Sequence, residues 1–169
     1  MKLRELKAAD AERMLEWMRN PSVVEKLRSN FASKTIEDCL GFIAGSISDN
    51  SVNYAVTGDD DLYMGTVSLK DIKDGAAEFA IVMHPDAFGK GYGSYAMKAV
   101  IEKGFRELGL NCIYWCVDPE NVRAVRFYDK NGYRRVSPEG LPAEGNYSEE
   151  EIEKFLWYVA EPGNEFEEQ

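Results

Sequence analysis

The stretch AAEFAIVMHPDAFGKGYGSYAMKAVIEKGFREL, Ala76 to Leu108, decides how this chain folds. Glu78 to Met83 is a short, mostly apolar run carrying the β-branched pair Ile81 and Val82. His84-Pro85-Asp86 ends it, because proline has no N–H for a ladder and restricts the residue before it. Gly89, Gly91 and Gly93 follow on alternate positions, with Lys90 among them. The pattern then turns helical. Lys98, Glu102 and Arg106 share a charged face at four-residue spacing, and Tyr92, Ala96, Ala99, Val100 and Phe105 supply apolar surface. A helix that begins in glycines presents unpaired N–H groups and the positive end of its dipole, and glycine lets a ligand approach the backbone closely. The unit reads as strand, turn and helix, with a candidate phosphate cradle near Gly91.

Two familiar cradles are tested by spacing. A P-loop requires Gly-Lys-Ser/Thr, which the chain lacks. Gly91-Tyr92-Gly93 followed by Ala96 satisfies a relaxed dinucleotide fingerprint, but no repeated βαβ unit precedes Ala76. On this stretch alone, an ordinary strand-to-helix turn is an equal reading.

Working outward, Asp74-Gly75 is a hairpin signal leading into Ala76. Before it, Val52 to Thr57 and Tyr63 to Leu69 read as strands joined by Gly58-Asp59-Asp60-Asp61. Lys2 to Leu6 is a further strand candidate. Ala8 to Arg19 reads as a helix with Met14, Leu15, Trp17 and Met18 on its apolar side, stopped by Asn20-Pro21; Val23 to Leu27 reads as one more helical turn. Thr35-Ile36-Glu37-Asp38 fits a capping box, and Ile36, Leu40, Ile43 and Ile47 then recur at helical spacing. Past Gly109, Cys112 to Val117 is apolar on both faces, as in a central strand of parallel type. Its cysteines have no histidine nearby and read as packing residues, not metal ligands.

The second informative stretch is Asp118 to Tyr133, DPENVRAVRFYDKNGY. Asn121 can cap a helix that Gly132 ends, with Asn121, Ala124, Val125 and Tyr128 on one face. Tyr133 to Val136 then reads as a strand. Ser148 to Phe155 fits a capped helix, while Lys154 to Ala160, KFLWYVA, suits a final strand; the strand is the reading taken.

At 169 residues, one domain is expected, and the composition is that of a globular protein able to bury a core. A net charge of −10 and a pI near 4.7 argue against nucleic acid as a partner. Most of that charge lies after residue 143, where nine Glu accompany one Lys. Three cysteines make no disulfide framework, and the N-terminus has no apolar signal core. No run reaches membrane-spanning length. The expectation is a cytoplasmic protein with no membrane partner.

FGKGYGSYAMKAV together with NVRAVRFYDKNGY resembles the GNAT superfamily of acyl-CoA-dependent N-acetyltransferases. The helix ending Trp17-Met18-Arg19-Asn20-Pro21 resembles the branch containing amino-sugar and ribosomal-protein acetyltransferases. The resemblance spans Met1 to about Ala160 and implies a GNAT domain over 1–160 with an acidic tail at 161–169. It implies an α/β fold (α+β by some schemes): a mixed, mostly antiparallel central sheet flanked by helices and splayed between its fourth and fifth strands. Acetyl-CoA is then expected in the gap as co-substrate, with no metal. The pantetheine arm is expected along Ile81, Val82 and Met83, and the pyrophosphate on the N–H groups of Phe88, Gly89, Lys90, Gly91, Tyr92, Gly93 and Ser94. The family usually carries Gln or Arg where this chain has Phe88; Lys90 keeps a charge nearby. Tyr128 matches the family tyrosine that serves the leaving thiolate. Asn121 matches a position that contacts the cofactor, and Ala124 leaves room for it.

Glu78 is the candidate general base, with a solvent-facing carboxylate as its alternative. A carboxylic acid of ordinary pKa, about 4.3 for Glu, takes a proton from an ammonium near pH 7 only if raised or through water. His84, the single histidine, reads as structural, and Cys116 lacks an evident activating partner for an acyl-enzyme. The resemblance implies that acceptor specificity lies in 19–34 and in the loop after Ser137, where Glu144, Tyr147 and Trp157 are candidates to meet substrate. The function it implies is acetyl transfer to a primary amine of a small molecule by direct attack in a ternary complex. Transfer to a protein N-terminus and a non-catalytic acyl-CoA-binding module are the alternatives. Family members are often dimers, so a homodimer is expected.

Overall fold

The computed structural model describes residues 1–143 and 145–163. The described elements run β1 (Lys2–Glu5), α1 (Ala11–Met18), α2 (Pro21–Val24), α3 (Ile36–Ala44), β2 (Ile47–Ser48), β3 (Ser51–Thr57), β4 (Tyr63–Lys73), β5 (Ala76–Met83), α4 (Tyr92–Arg106), β6 (Cys112–Val117), α5 (Val122–Lys130), β7 (Arg134–Val136), α6 (Glu149–Lys154) and β8 (Leu156–Ala160). The sheet order is β1-β3-β4-β5-β6-β8-β7, with β2 paired to β3. The mixed α/β architecture with a mostly antiparallel sheet is the one expected.

β4 and β5 are joined by Asp74-Gly75, both at positive φ, so Lys73 faces Ala76 across a two-residue hairpin. β5 then crosses through α4 to β6, the one parallel pairing among the described residues. That pairing is short: Ala76, Ala77 and Glu78 face Cys112, Ile113 and Tyr114, and beyond them the strands part. β5 stays paired to β4 through Met83, while β6 stays paired to β8 through Val117. The two strands are the fourth and fifth of the sequence reading; the short β2 shifts the count by one.

Alternation along the strands sorts side chains onto two faces. Ala77, Phe79, Ile113 and Trp115 join the core under α4 and α5, with Ile81 and Met83 packed against it. The opposite face carries two separate clusters. One, around Met14, Trp17, Cys39 and Tyr63, lies under α1 to α3, and Val82 packs on it. The other, around Tyr114, Ala143 and Trp157, lies under the loop after β7, and Ala76 packs on it. Glu78 lies between Ala76 and Val82 on this face of β5, at the seam of the two clusters.

Several boundaries differ from expectation. The helical periodicity from Ile36 does not reach Ile47. α3 ends at Ala44, and Ile47 starts a two-residue strand on the edge of β3. Cys39 is the fully buried residue of α3, whereas Leu40 and Ile47 are exposed. The helix from Ala8 opens with a 3-10 turn over Ala8–Asp10, where Asp10 accepts the Lys7 N–H and two Arg4 guanidinium bonds. Past Asn20 the helical turn falls on Pro21–Val24, because Asn20 caps it and Pro21 suits its first position. Helix and strand both occur near the end: Ser148 and Glu151 form a capping box for α6, and β8 follows directly. Treating them as exclusive was the error, since six residues suffice for the helix. Glu144 and residues 164–169 of the acidic tail lie outside the described residues.

Candidate active site

The gap between β5 and β6 is walled by Phe79–Met83 on one side and Trp115–Val117 on the other. In an antiparallel ladder alternate residues turn their N–H and C=O away from the partner strand. Past Glu78, those of β5 therefore face the gap. Ile81, Val82 and Met83 are all on this wall and half-buried.

At one end of the gap the chain turns over itself before α4. Phe88 N–H bonds Pro85 O at 3.0 Å and Lys90 N–H bonds Ala87 O at 3.3 Å, so these two amides are already engaged. The amides of Gly89, Gly91, Tyr92, Gly93 and Ser94 remain for a ligand. Gly89 and Gly91 have φ of 72° and 83°, and open space surrounds the position of a Cβ at Gly89. Gly91 caps a fifteen-residue helix with no side-chain cap of its own. This is an anion cradle built from backbone, and it fits a pyrophosphate. Tyr92 contributes its amide alone, since its hydroxyl lies against Gly58. Arg123, at the start of α5, stacks its guanidinium 4.0 Å over the exposed Phe88 ring. It brings a cation to the place where the usual Gln or Arg is missing.

α5 packs through Tyr128 on Trp115 of β6, on the same side of the sheet as α4. Asn121 caps it by accepting Ala124 N–H at 3.3 Å, and Ala124 is half-buried. Tyr128 is 8% exposed and packed among Trp115, Phe127 and Tyr158, with ring centroids 5.2–5.5 Å apart. Burial pushes its phenol well above the ordinary tyrosine value, with Cys116 adding to the shift. Such a phenol stays protonated at neutral pH and acts as a hydrogen-bond donor.

Glu78 lies on the opposite face and is 5% exposed, which overturns the solvent-facing alternative. Its Oε1 accepts a hydrogen bond from the Tyr147 hydroxyl. Cys116 adjoins the pair; burial pushes its thiol up to about 11 against the opposing effect of Tyr147, so it is held as a thiol and makes a poor nucleophile. His84 is structural: Nε2 meets Glu16 Oε2 at 2.7 Å, Nδ1 accepts Asp86 N–H, and the ring ties α1 to the turn after β5. Trp157 is buried and donates to Ile152 O. Sequence reasoning passed over Arg28 as an individual. It sits 4.2 Å over the Tyr147 ring and grips Glu151 through Nη2 at 2.9 Å. Nothing local could have revealed it, because its partner is 123 residues away.

The gap thus has backbone amides at one end, a phenol on one face and a buried carboxylate on the other. The profile of the Acetyltransferase (GNAT) domain family matches residues 1–134, and the chain belongs to that family. Among curated proteins, it is 29% identical over 135 residues to the uncharacterized N-acetyltransferase YnaD of Bacillus subtilis, covering 79% of this chain and 78% of that one. It is 36% identical over 89 residues to the spermidine N(1)-acetyltransferase of Escherichia coli K12, covering 52% of this chain and 48% of that enzyme. The solved spermidine N-acetyltransferase of Vibrio cholerae in complex with CoA and spermine shares the fold. Its TM-score is 0.75 at 21% identity, covering 95% of this chain and 94% of that one. Among the described residues, no group of three or more His, Cys, Asp or Glu could hold a metal ion, and no helix is long and apolar enough to cross a membrane.

Proposed function

We propose that this chain transfers the acetyl group of acetyl-CoA directly to a primary amine of a small molecule, with an aliphatic polyamine as the first acceptor to test. The observation that carries this reading is the placement of Glu78 and Tyr128 on opposite faces of the β5–β6 gap. Acetyl-CoA supplies an activated thioester. The amides of Gly89 and Gly91 to Ser94 hold its pyrophosphate, with Lys90 and the Phe88–Arg123 stack at the rim. Backbone along Ile81, Val82 and Met83 pairs with its amide-bearing arm, and Asn121 and Ala124 line its path. A β5 N–H donates to the oxygen that becomes negative as the amine attacks. Glu78 takes the proton released by the amine, directly or through one water. Tyr128 donates a hydrogen bond to the sulfur as it leaves. Because the Tyr128 phenol is raised and a thiol titrates near 8.5, stabilising the thiolate is easier for it than full proton transfer. The high value of Cys116 favours this direct route over an acyl-enzyme.

The polyamine choice is supported by the similarity to spermidine acetyltransferases and by the acidic character of the chain. The test is thiol release from acetyl-CoA against polyamines, aminoglycosides, amino-sugar nucleotides and short peptides. Release with a polyamine is expected. Release with peptides alone would move the acceptor to a protein N-terminus. Silence across the panel, with thermal stabilisation by acetyl-CoA, would overturn catalysis and leave a binding module.

A further inference from the structure

We propose that Tyr147 is the positioning residue for Glu78: its hydroxyl fixes the carboxylate at the seam of the sheet, and Arg28 in turn fixes the Tyr147 ring. The inference rests on the reading of Glu78 as the base and deepens it.

Glu78 is buried, and among the described residues no cation forms an ion pair with it. A buried carboxylate without a cation depends on hydrogen-bond donors for its charge. The donor that reaches it is the Tyr147 hydroxyl, from a loop 69 residues further along the chain. This bond engages Oε1 and leaves Oε2 for an amine or its water. The phenol itself is pushed up by burial and by its neighbours Cys116 and Glu78, so it donates and does not ionise.

The ring that carries this hydroxyl is held from several sides. Trp157 meets it edge-on, with centroids 5.2 Å apart and planes at 81°, and Phe155 does so at 6.2 Å and 88°. Arg28 covers it at 4.2 Å and is itself fixed by Glu151 Oε1 and Oε2 at 2.9 and 3.1 Å and by Asn146 O at 3.3 Å. Glu151 is the far half of the α6 capping box, and Asn146 donates to Asp71 Oδ2 at 3.1 Å. The segment after α2, the loop after β7 and the end of β4 thus converge on one tyrosine. A stacked ring has one orientation, and its hydroxyl can then fix one carboxylate rotamer.

The titratable and charged groups around Glu78 are Tyr147 from the loop, Cys116 and Tyr114 from β6, Lys70 and Asp71 from β4, and Arg28 behind the ring. Tyr147→Phe removes one oxygen and keeps the stack. A hydrogen bond to a charged group is among the stronger ones, so the carboxylate loses its fixed orientation when the hydroxyl goes.

Two readouts test this. The first follows the Glu78 carboxyl by carbon NMR in protein labelled at its glutamate carboxyl carbons, with Glu78→Gln assigning the signal; it needs no acceptor. The second is the split between kcat and KM with the acceptor most active in the amine panel. In Tyr147→Phe the Glu78 carboxyl resonance should move from its parent position and kcat should fall about 10-fold, with acceptor KM little changed and acetyl-CoA affinity unchanged. In Arg28→Ala they should move the same way by less. An unmoved carboxyl resonance in Tyr147→Phe would overturn the proposal. If Glu78→Gln kept full turnover, Glu78 would not be the base, and that failure is separate from the first.

Discussion

The two halves of the site are built by different means. The half proposed for the cofactor, from the β5 wall through Gly89–Ser94 to α5, offers mainly backbone groups. Its residues come in two short runs of sequence joined by one crossover, and its specificity comes from unpaired amides and a helix N-terminus. The acceptor half acts through side chains. Arg28, Glu78, Cys116 and Tyr147 come from four separate segments and meet at the seam where two hydrophobic clusters fail to merge. Backbone groups are present whatever the side chain, so a cradle built from them does not depend on the residue at position 88. A side-chain constellation is less tolerant, because replacing one member leaves several partners unmet.

That contrast predicts which measurement each variant moves. Glu78→Gln should lower kcat by about 10²–10³-fold, the range for losing a general base, while calorimetry finds acetyl-CoA binding unchanged. Equal loss of binding would merge the halves. Tyr128→Phe should lower kcat by about 10- to 100-fold, the worth of one hydrogen bond to developing charge, again with binding intact. A larger effect on acetyl-CoA affinity than on kcat would place Tyr128 with the cradle instead.

Gly91→Val should act the other way. A branched residue at φ 83° costs about 1–2 kcal/mol and disturbs the cradle, so acetyl-CoA should bind about 5- to 30-fold more weakly with little change in kcat at saturation. The smallest effect belongs to Asp61, remote from both halves. Lys7, Lys2 and Arg4 hold its carboxyl well below the ordinary value. A depressed carboxylate stabilises the fold above its unfolded pKa, near 3.9, and loses that contribution as pH falls through its lower folded value. Thermal unfolding should therefore show Asp61→Asn below the parent at pH 7 and the gap shrinking toward pH 2, with turnover untouched. A gap independent of pH would mean that Asp61 acts by shape.

The fold was legible where signals are local. Asp74-Gly75 announces a two-residue hairpin, and the run from Cys112 to Val117 announces a strand covered on both faces; both stand. Where periodicity continued past a real end, it misled. Ile47 keeps the helical spacing of Ile36 and Ile43, yet Gly45 and the pull of β3 stop α3 and hand Ile47 to the sheet. For the proposed site, the glycine turn could be named from spacing, while Tyr128, Asn121 and Glu78 were named only through the family resemblance.

The chain by itself determined the strand–turn–helix unit, its glycine cradle and the tyrosine-bearing helix, because turns, caps and amphipathic faces are set by residues within a few positions of one another. Only the tertiary structure decided that Glu78 is buried, that Tyr147 reaches its carboxylate, and that Arg28 covers the Tyr147 ring. Those facts depend on which side chains are brought together across the sheet. No spacing along the chain encodes a contact whose partners are set by packing between distant elements.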